Sequence, residues 1–173
     1  MVSWRRALPW LIVFVVVALV GAGVLKPTSG NGGGSGGRPA GEGAVTRVVD
    51  GDTIHVRVDG EDETVRYIGV DTPETVKPNT PVECFGKKAS AYNHRLLDGQ
   101  RVRLRFDAER RDRYGRLLAY VYRRRDDLFV NDALVRNGYA TTLTIPPNVA
   151  HEADLRVSQR RAREAQKGLW SEC

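Results

Sequence analysis

The sequence has only two cysteines among its 173 residues, Cys84 and Cys173. They lie far apart, and no CxxC or Cys/His spacing is present, which argues against a zinc site. In a chain that bears an export signal they could pair as a disulfide; elsewhere they would be two unrelated thiols. The three histidines, His55, His94 and His151, lie outside the acidic clusters. We therefore expect them to be surface or packing residues.

A large excess of positive charge is also lacking in the main part of the chain. The formal net charge is +6, but four of the 27 basic residues precede Glu42 and no acidic residue does. The remaining 23 basic residues face 21 acidic ones. Bulk charge is therefore weak support for a nucleic-acid partner. Local arginine clusters at residues 101–105, 110–113 and 123–125 are better candidates for such a role.

The amino-terminal segment has the sequence pattern of an export signal. Arg5 and Arg6 precede a run over residues 7–25 that has no charged residue and is almost wholly apolar. A signal peptide and a single transmembrane anchor both have this pattern, and a buried core helix is the structural alternative. We assign residues 1–26 to this segment and residues 27–43 to a flexible Gly/Ser-rich linker. Positive charge before the apolar run places the folded domain, residues 44–173, outside the cytoplasm.

Turn signals and hydrophobic periodicity divide the folded part into short strands and three helices. The predicted strands cover residues 44–49, 53–58, 63–70, 101–106 and 116–122. The predicted helices cover residues 86–97, 130–137 and 152–166. Five short strands with intervening helices indicate an α+β protein built on a small antiparallel barrel.

Acidic residues are expected to meet at one end of the second hairpin. If its turn spans residues 59–62, Val58 pairs with Glu63, Asp52 falls opposite Gly69, and Asp71 lies two residues further on. A third carboxylate follows at Glu74. Clustered carboxylates repel, and a hard divalent cation with oxygen ligands resolves that conflict. The alternative is that Asp52 and its neighbours only serve turns.

Two arginines complete the candidate site. Strand alternation places Arg66 on the same face as Ile68 and Val70, where an apolar residue is expected. An inward guanidinium needs an anionic partner, either a structural carboxylate or a bound phosphate. Arg116 follows a tight turn and could reach the same pocket. A metal, arginines and a carboxylate are suited to phosphoryl transfer.

At these residues the sequence resembles the thermonuclease family, also called staphylococcal or micrococcal nucleases, and in particular its exported bacterial members. The similarity extends in order and spacing over nearly all of the chain from Ala44. The matching segments are VDGDT (49–53), RYIGVDTPE (66–74), DRYGR (112–116), LAY (118–120), VNDALV (130–135), HE (151–152) and LWS (169–171). The resemblance implies an OB-fold five-stranded barrel with three α-helices. It also implies a calcium-dependent endonuclease that cleaves DNA and RNA, leaving a 3′-phosphate and a 5′-hydroxyl.

The resemblance assigns the acidic residues to a Ca²⁺ site. Asp52 and Asp71 are implied as direct carboxylate ligands, and the carbonyl of Thr72 as a further ligand. Asp50 is implied to support the site from behind these ligands. Glu74 is implied as the general base, or as the group that orients the attacking water.

The resemblance also assigns the residues that contact substrate. Arg66 and Arg116 are implied to contact the phosphate, with Arg116 nearest the leaving 5′ oxygen. Arg113 and Tyr114 are implied to lie beside a substrate phosphate. The segment at residues 141–147 departs from the family because it lacks a tyrosine that packs against the nucleotide. Many exported relatives carry a cysteine near Cys84 and another at the carboxyl end, which favours the disulfide.

Three functions remain open at this point. The chain could be an active extracytoplasmic nuclease, a non-catalytic nucleic-acid-binding OB-fold module at the cell surface, or a surface protein whose barrel makes protein contacts. Binding alone does not need the catalytic carboxylates and arginines together, and all of them are present, which favours the enzyme. No obligate protein partner is evident, so a monomer is expected. Any membrane contact would be made by the amino-terminal segment.

Overall fold

The computed structural model describes residues 38–73, 75, 81 and 83–173. The strands among them are β1 (Arg38–Val48), β2 (Thr53–Val58), β3 (Glu61–Tyr67), β4 (Gly69–Asp71), β5 (Arg101–Phe106), β6 (Leu117–Arg123), β7 (Leu128–Phe129) and β8 (Thr141–Leu143). The helices are α1 (Gly86–Leu97), α2 (Val130–Arg136), α3 (Glu152–Glu164) and the short α4 (Leu169–Glu172).

Five strands form a closed barrel. Their order is β3-β2-β1-β5-β6, and β6 pairs back onto β3. The predicted OB-fold barrel with three principal helices is thus confirmed. The expectation of a purely antiparallel barrel is wrong, because the closing pair, β3 with β6, is parallel. Strand β7 extends the sheet beyond β6, while β4 and β8 form a separate antiparallel pair.

The register of the β2–β3 hairpin differs from the predicted one. Val58 pairs with Glu61 and not with Glu63. The turn is the two-residue loop of Asp59 and Gly60, whose φ angles of 52° and 90° suit the tight hairpin turn that Asp-Gly favours. The predicted four-residue turn therefore shifted the pairing by two residues. An even shift leaves every side chain on its own face, so the predicted convergence of acidic residues is not reversed.

The predicted third strand is interrupted at Gly69. Its φ of 79° ends one straight run and begins the short strand β4. In β3 the core-facing residues are Val65 and Tyr67, both fully or almost fully buried. Arg66 therefore lies on the outer face, and its expected position on one face with Val70 is wrong because Val70 belongs to the core.

The first strand begins earlier than the expected domain boundary. Arg38 pairs with Phe106 and Gly43 with Val102, so residues 38–43 belong to β1 and not to the linker. Gly43 fits there because a Cβ at this position would lie 2.4 Å from the Arg57 carbonyl oxygen. Residues 1–37, with the predicted export segment, lie outside the described residues. No helix in the described part of the chain is long and apolar enough to cross a membrane.

The helices cover the barrel and tie down the carboxyl end. Helix α2 supplies Val130 and Leu134 to the core, and α3 supplies Leu155. A disulfide joins Cys84, just before α1, to Cys173 at the end of α4. The carboxyl terminus is therefore covalently attached to the start of the first helix.

Candidate active site

The turn between β1 and β2 holds two of the predicted carboxylates. Asp52 is buried, with 4% of its surface exposed. The Asp52 amide donates to Asp50 Oδ1 at 3.0 Å, and Thr53 Oγ1 donates to Asp52 Oδ1 at 3.1 Å. The turn is anchored from below by Asn93 of α1, whose Nδ2 donates to the Asp50 carbonyl at 2.9 Å. These bonds fix the direction of both carboxylates.

Thr72 closes over this turn. Its amide and its hydroxyl both donate to Asp52 Oδ2, at 2.8 Å and 2.9 Å. The approach requires glycine at position 51, because a Cβ there would lie 2.6 Å from Thr72 Oγ1. The motif around Asp52 and the segment after β4 are therefore packed against each other, as the acidic-cluster hypothesis requires.

Arg66 joins the two predicted metal carboxylates. Its Nη2 donates to Asp71 Oδ1 at 2.8 Å, and its Nη1 lies 3.2 Å from Asp52 Oδ2. Nη1 also donates to the carbonyls of Tyr67 and Val70. A guanidinium has five N–H donors, and Nε has no partner among the described residues. Arg66 is thus held by the protein on one side and keeps donors for an incoming anion.

The carboxylates carry a local excess of negative charge. Burial, and next the charge of Asp52, raise the pKa of Asp50 to about 6. Burial also raises the pKa of Asp71, against the lowering effect of Arg66. Three carboxylates share Arg66 at this cavity, and a cation among them would reduce their mutual repulsion.

The oxygen donors fit the chemistry of a hard cation. Asp52, Asp71 and Thr72 border one polar cavity of about 100 Å³, which Asp50 and Arg66 also line. Ca²⁺ is bound by such carboxylate and carbonyl oxygens. Within the described ranges, no group of three or more His, Cys, Asp or Glu side chains already has a metal-binding arrangement. Asp52, Asp71 and Thr72 are therefore the residues that would hold a metal, with Arg66 between the carboxylates as their present counter-ion.

The loop between β5 and β6 presents Arg116. Asp112 Oδ1 accepts hydrogen bonds from the amides of Tyr114 and Arg116, at 2.9 Å and 3.0 Å, which closes the turn around Gly115. Asp112 Oδ2 accepts from Arg116 Nε at 2.7 Å. Although partial burial acts to raise it, hydrogen bonds from Arg116 and from the turn amides lower the pKa of Asp112. The Arg116 guanidinium also lies over the Tyr114 ring at 5.5 Å, and its terminal nitrogens have no hydrogen-bond acceptor among the described residues.

An apolar cavity of about 470 Å³ adjoins the polar one, and Arg66 and Arg116 line both. Its wall includes Tyr114, Leu143 and Ile145, which are 68%, 39% and 62% exposed. They make up three of the four large hydrophobic residues exposed in the described part of the chain. The segment that lacks the family's tyrosine thus supplies aliphatic side chains to this wall.

The structure brings together most of the predicted site residues. Asp50, Asp52, Asp71, Thr72, Arg66 and Arg116 surround the polar cavity. Arg113 and Tyr114 line the apolar cavity, where Arg113 Nη2 donates to the Tyr114 hydroxyl at 2.6 Å. Glu74, the predicted general base, lies outside the described residues. Its role therefore stays a prediction.

Sequence reasoning missed three residues that shape the site: Asn93, Leu143 and Ile145. Asn93 is fully buried between Asp50 and the Tyr67 hydroxyl, which donates to its Oδ1 at 3.0 Å. A polar residue on the apolar side of a predicted helix is the signal that could have identified it. The resemblance marked the segment of Leu143 and Ile145, residues 141–147, only for its missing tyrosine, and the position of Leu143 in the wall depends on the pairing of β8 with β4.

Fold and site together define a class, namely OB-fold proteins that carry clustered carboxylates and two arginines beside an open cavity. A model of the family described as staphylococcal nuclease homologue matches residues 64–172. Over 126 residues the chain is 49% identical to a thermonuclease of Staphylococcus intermedius, covering 73% of this chain and 74% of that protein. A thermonuclease of Staphylococcus hyicus is 46% identical over 127 residues, with coverage of 73% and 74%.

A third relative is endonuclease YncB of Bacillus subtilis, 42% identical over 127 residues that cover 72% of this chain and 59% of that protein. The chain belongs to the staphylococcal nuclease homologue family. The expectation of a thermonuclease-like nuclease, a hydrolase of phosphodiester bonds, is thereby confirmed.

Proposed function

We propose that the protein is a calcium-dependent endonuclease that hydrolyses DNA and RNA outside the cytoplasm and leaves 3′-phosphate products. The observation that carries the proposal is the shared wall of the two cavities. Arg66 and Arg116 border the carboxylate-lined cavity on one side and the apolar cavity on the other. A nucleotide placed with its base in the apolar cavity would have its phosphate at these two guanidiniums.

The carboxylate-lined cavity supplies the metal ligands in this proposal. Asp52 and Asp71 offer carboxylates and Thr72 a carbonyl, the oxygen donors that Ca²⁺ accepts. When bound, the cation supplies positive charge that offsets the charge on the phosphate. The grouping of Asp50, Asp52 and Asp71 around one cavity supports this assignment, because a bound cation would reduce the repulsion among the three carboxylates.

The arginines stabilise the charge that develops on the phosphate. Asp112 holds Arg116 by Nε, and no acceptor among the described residues occupies the terminal nitrogens, which suits a bidentate contact with phosphate oxygens. Arg66 is held against the Tyr67 and Val70 carbonyls and offers its Nε and one Nη2 hydrogen. Donors fixed before substrate arrives need no reorganisation during the reaction, which is the basis of electrostatic catalysis. Glu74 would activate or orient the attacking water.

Two features support the proposed location outside the cytoplasm: the amino-terminal segment and the disulfide. Residues 7–25 form an apolar run preceded by two arginines. The Cys84–Cys173 disulfide is of a kind that persists in oxidising compartments. We propose that the domain is anchored by this run, or released after its cleavage, and acts as a monomer. Protease accessibility on intact cells tests the location: protection until the cells are lysed would contradict it.

The activity is tested with the full chain in mild detergent, acting on plasmid, single-stranded DNA and RNA with calcium or with a chelator. Calcium-dependent cleavage should be lost in Glu74→Ala and fall by several orders of magnitude in Arg116→Ala. Glu61→Ala and Arg124→Ala, at exposed positions outside both cavities, are the matched controls. End-labelled products should carry the phosphate on the 3′ side. Near-normal turnover in Glu74→Ala would remove Glu74 from its role.

A second outcome would favour the alternative function. If no cleavage occurs under any condition but DNA is retained in a salt-sensitive way, the chain is a nucleic-acid-binding module of the same fold. The presence of Arg66, Arg116, Asp52 and Asp71 in one place favours the enzyme, since binding alone does not need the carboxylates.

A further inference from the structure

Helix α3 carries arginines along one side. Arg156, Arg160 and Arg163 follow one another at spacings of four and three residues, which places them on a single face of the helix. All three are exposed. We call them the α3 arginine stripe.

The α3 arginine stripe lies next to the side of the helix that contacts strand β8, further round towards solvent. Gln159 marks that side, because its Oε1 accepts from the Thr142 amide at 2.6 Å and the Thr142 hydroxyl at 3.2 Å. At 3.6 residues per turn, the stripe residues lie about 40° to 100° from Gln159, in the direction away from the buried Leu155 and Ala162. Strand β8 ends at Leu143, which lines the apolar cavity. Arg163 and Arg156 are the stripe residues nearest in helical angle to the side that contacts this strand, and Arg160 is the furthest from it.

The stripe has fewer acidic partners than the arginines around the β6–β7 hairpin. Arg156 pairs with Glu152 at 2.8 Å. In the part of the chain that the structure describes, no carboxylate lies within ion-pairing distance of Arg160 or Arg163. Residues 160–167 contain four basic residues and one acidic residue. This stretch therefore has a local net charge of +3.

The arginines around the β6–β7 hairpin are arranged differently. Those at positions 103 and 123–125 each face a carboxylate, in the pairs Arg103–Asp127, Arg123–Asp126, Arg124–Glu42 and Arg125–Asp126. The sequence marked residues 123–125 as a candidate cluster for substrate contact. Their ion pairs leave them less suited to a phosphate backbone than the stripe is.

Local structural roles explain only part of the stripe. A basic residue in the last turn of a helix is favoured by the helix dipole, and Arg163 also lies over the Trp170 ring at 5.6 Å. Arg160 has neither role, because it precedes the last turn and has no carboxylate or ring contact among the described residues. An exposed arginine without an acidic partner among the described residues is suited to bind an anion that arrives from solution.

We propose that the α3 arginine stripe is an accessory site for the phosphate backbone of the nucleic-acid substrate, beyond the catalytic cavities. The proposal rests on the proposed function. Arg156 and Arg163 are separated by about 10 Å along the helix, from a rise of 1.5 Å per residue. With about 3.4 Å of duplex axis per phosphate of one strand, the stripe matches roughly three nucleotide steps. The site gives the enzyme a preference for long nucleic acids over short ones.

The test compares two triple variants of the full chain that remove the same charge. One is Arg156→Gln with Arg160→Gln and Arg163→Gln. The other, the control, is Arg57→Gln with Arg124→Gln and Arg125→Gln, at exposed positions whose arginines are paired with acids. Cleavage is measured on a dinucleotide and on a duplex of 30 base pairs, and duplex binding is measured over a range of salt concentrations.

The stripe variant should show a KM for the duplex raised by about tenfold, with unchanged kcat on the dinucleotide. For this variant, the slope of log affinity against log salt concentration should be less steep by about two to three, because each phosphate contact contributes about 0.9 to that slope. Replacement of the three arginines by lysine should preserve most of the slope. A stripe variant that matches the control on both substrates would overturn the proposal, as would a lysine variant that loses both stability and binding like the glutamine variant.

Failure of the proposed function would look different. A wild-type chain that cleaves neither substrate contradicts the nuclease, while salt-dependent duplex binding that only the stripe variant loses would still support the stripe. Vesicles containing phosphatidylserine provide the other comparison. If the stripe variant loses vesicle binding but keeps duplex binding, the stripe serves a membrane surface and the proposal is wrong.

Discussion

Asp112 Oδ2 accepts the Nε hydrogen of Arg116 at 2.7 Å, four residues further along the chain. The same carboxylate accepts the backbone amides of Tyr114 and Arg116 and so forms the turn that presents the arginine. One acidic side chain therefore sets both the backbone and the guanidinium. Arg116 held in this way lines both cavities.

Asp112→Asn separates these two effects. Asparagine keeps an oxygen for the turn amides but loses the charge that orients Arg116, so we expect the fold to persist and kcat to fall by about 10–100-fold. Steady-state cleavage of a short DNA measures the effect. Asp126→Asn is the control, because Asp126 also holds an arginine, Arg123, but by a two-point ion pair away from the cavities. A rate within about twofold of wild type would show that Arg116 needs no such support.

Arg66→Lys tests the bridge between the two carboxylates. A lysine keeps the charge but has no planar fork, so it cannot reach Asp52, Asp71 and the Tyr67 and Val70 carbonyls together. We expect a rate lowered by about 10–100-fold, or about 1.4–2.7 kcal/mol of transition-state stabilisation.

Arg57→Lys is the comparison for this change, since Arg57 forms a two-point pair with Asp62 on the exposed surface. Thermal unfolding is measured alongside activity. If Arg66→Lys cleaves as fast as Arg57→Lys, the bridging geometry has no catalytic importance.

The acidic turn and the two arginines were predictable because they lie in short motifs with strong local signals. Asp-Gly turns fix the backbone at Asp50 and Asp59, and the segments around Arg66 and Arg116 are similar to the family over several consecutive residues. The barrel followed from the number and spacing of strands. These features depend on residues that are close together in the sequence, so they can be predicted from the sequence.

The remaining features depend on distant segments. The β2–β3 register depends on the length of the turn between the strands. The sequence from Asp59 to Asp62 is compatible with a turn of two or of four residues, so it did not determine the register. The position of Asn93 beneath Asp50 requires α1 to pack on the barrel. The apolar wall at Leu143 and Ile145 requires β8 to pair with β4. None of these relationships leaves a local pattern in the sequence.

Ile145→Tyr tests whether the apolar wall receives the base. Ile145 is 62% exposed at the cavity, so a larger side chain can be accommodated. An aromatic ring stacks on a base with about 1–3 kcal/mol, which corresponds to an affinity for single-stranded DNA raised by roughly 5–150-fold. Binding by fluorescence anisotropy measures it, and Ile145→Ala should weaken binding modestly. Val149→Tyr is the control, at an exposed apolar residue outside the cavity lining. Equal gains in both variants would show that the wall is not a base site.

The disulfide should contribute to stability and not to chemistry. Cys84 and Cys173 are 89 residues apart, so their bond closes a long loop. The chain-entropy model gives about 4–5 kcal/mol for a loop of this length, and measured values are often smaller. We expect Cys84→Ser with Cys173→Ser to lower the unfolding free energy by about 2–4 kcal/mol. Activity at 25 °C should stay near wild type, because neither cysteine lines a cavity.

Urea unfolding of the full chain, with and without dithiothreitol, measures the contribution of the disulfide. The reductant should lower the stability of the wild type to that of the double serine variant and leave the variant unchanged. This pattern separates the bond from any effect of the serine side chains. A wild type that unfolds at the same urea concentration in both conditions, with two thiols titrating after reduction, would mean that the loop closure adds nothing. The carboxyl end would then be held by other contacts, such as the ion pair of Lys88 with Glu172.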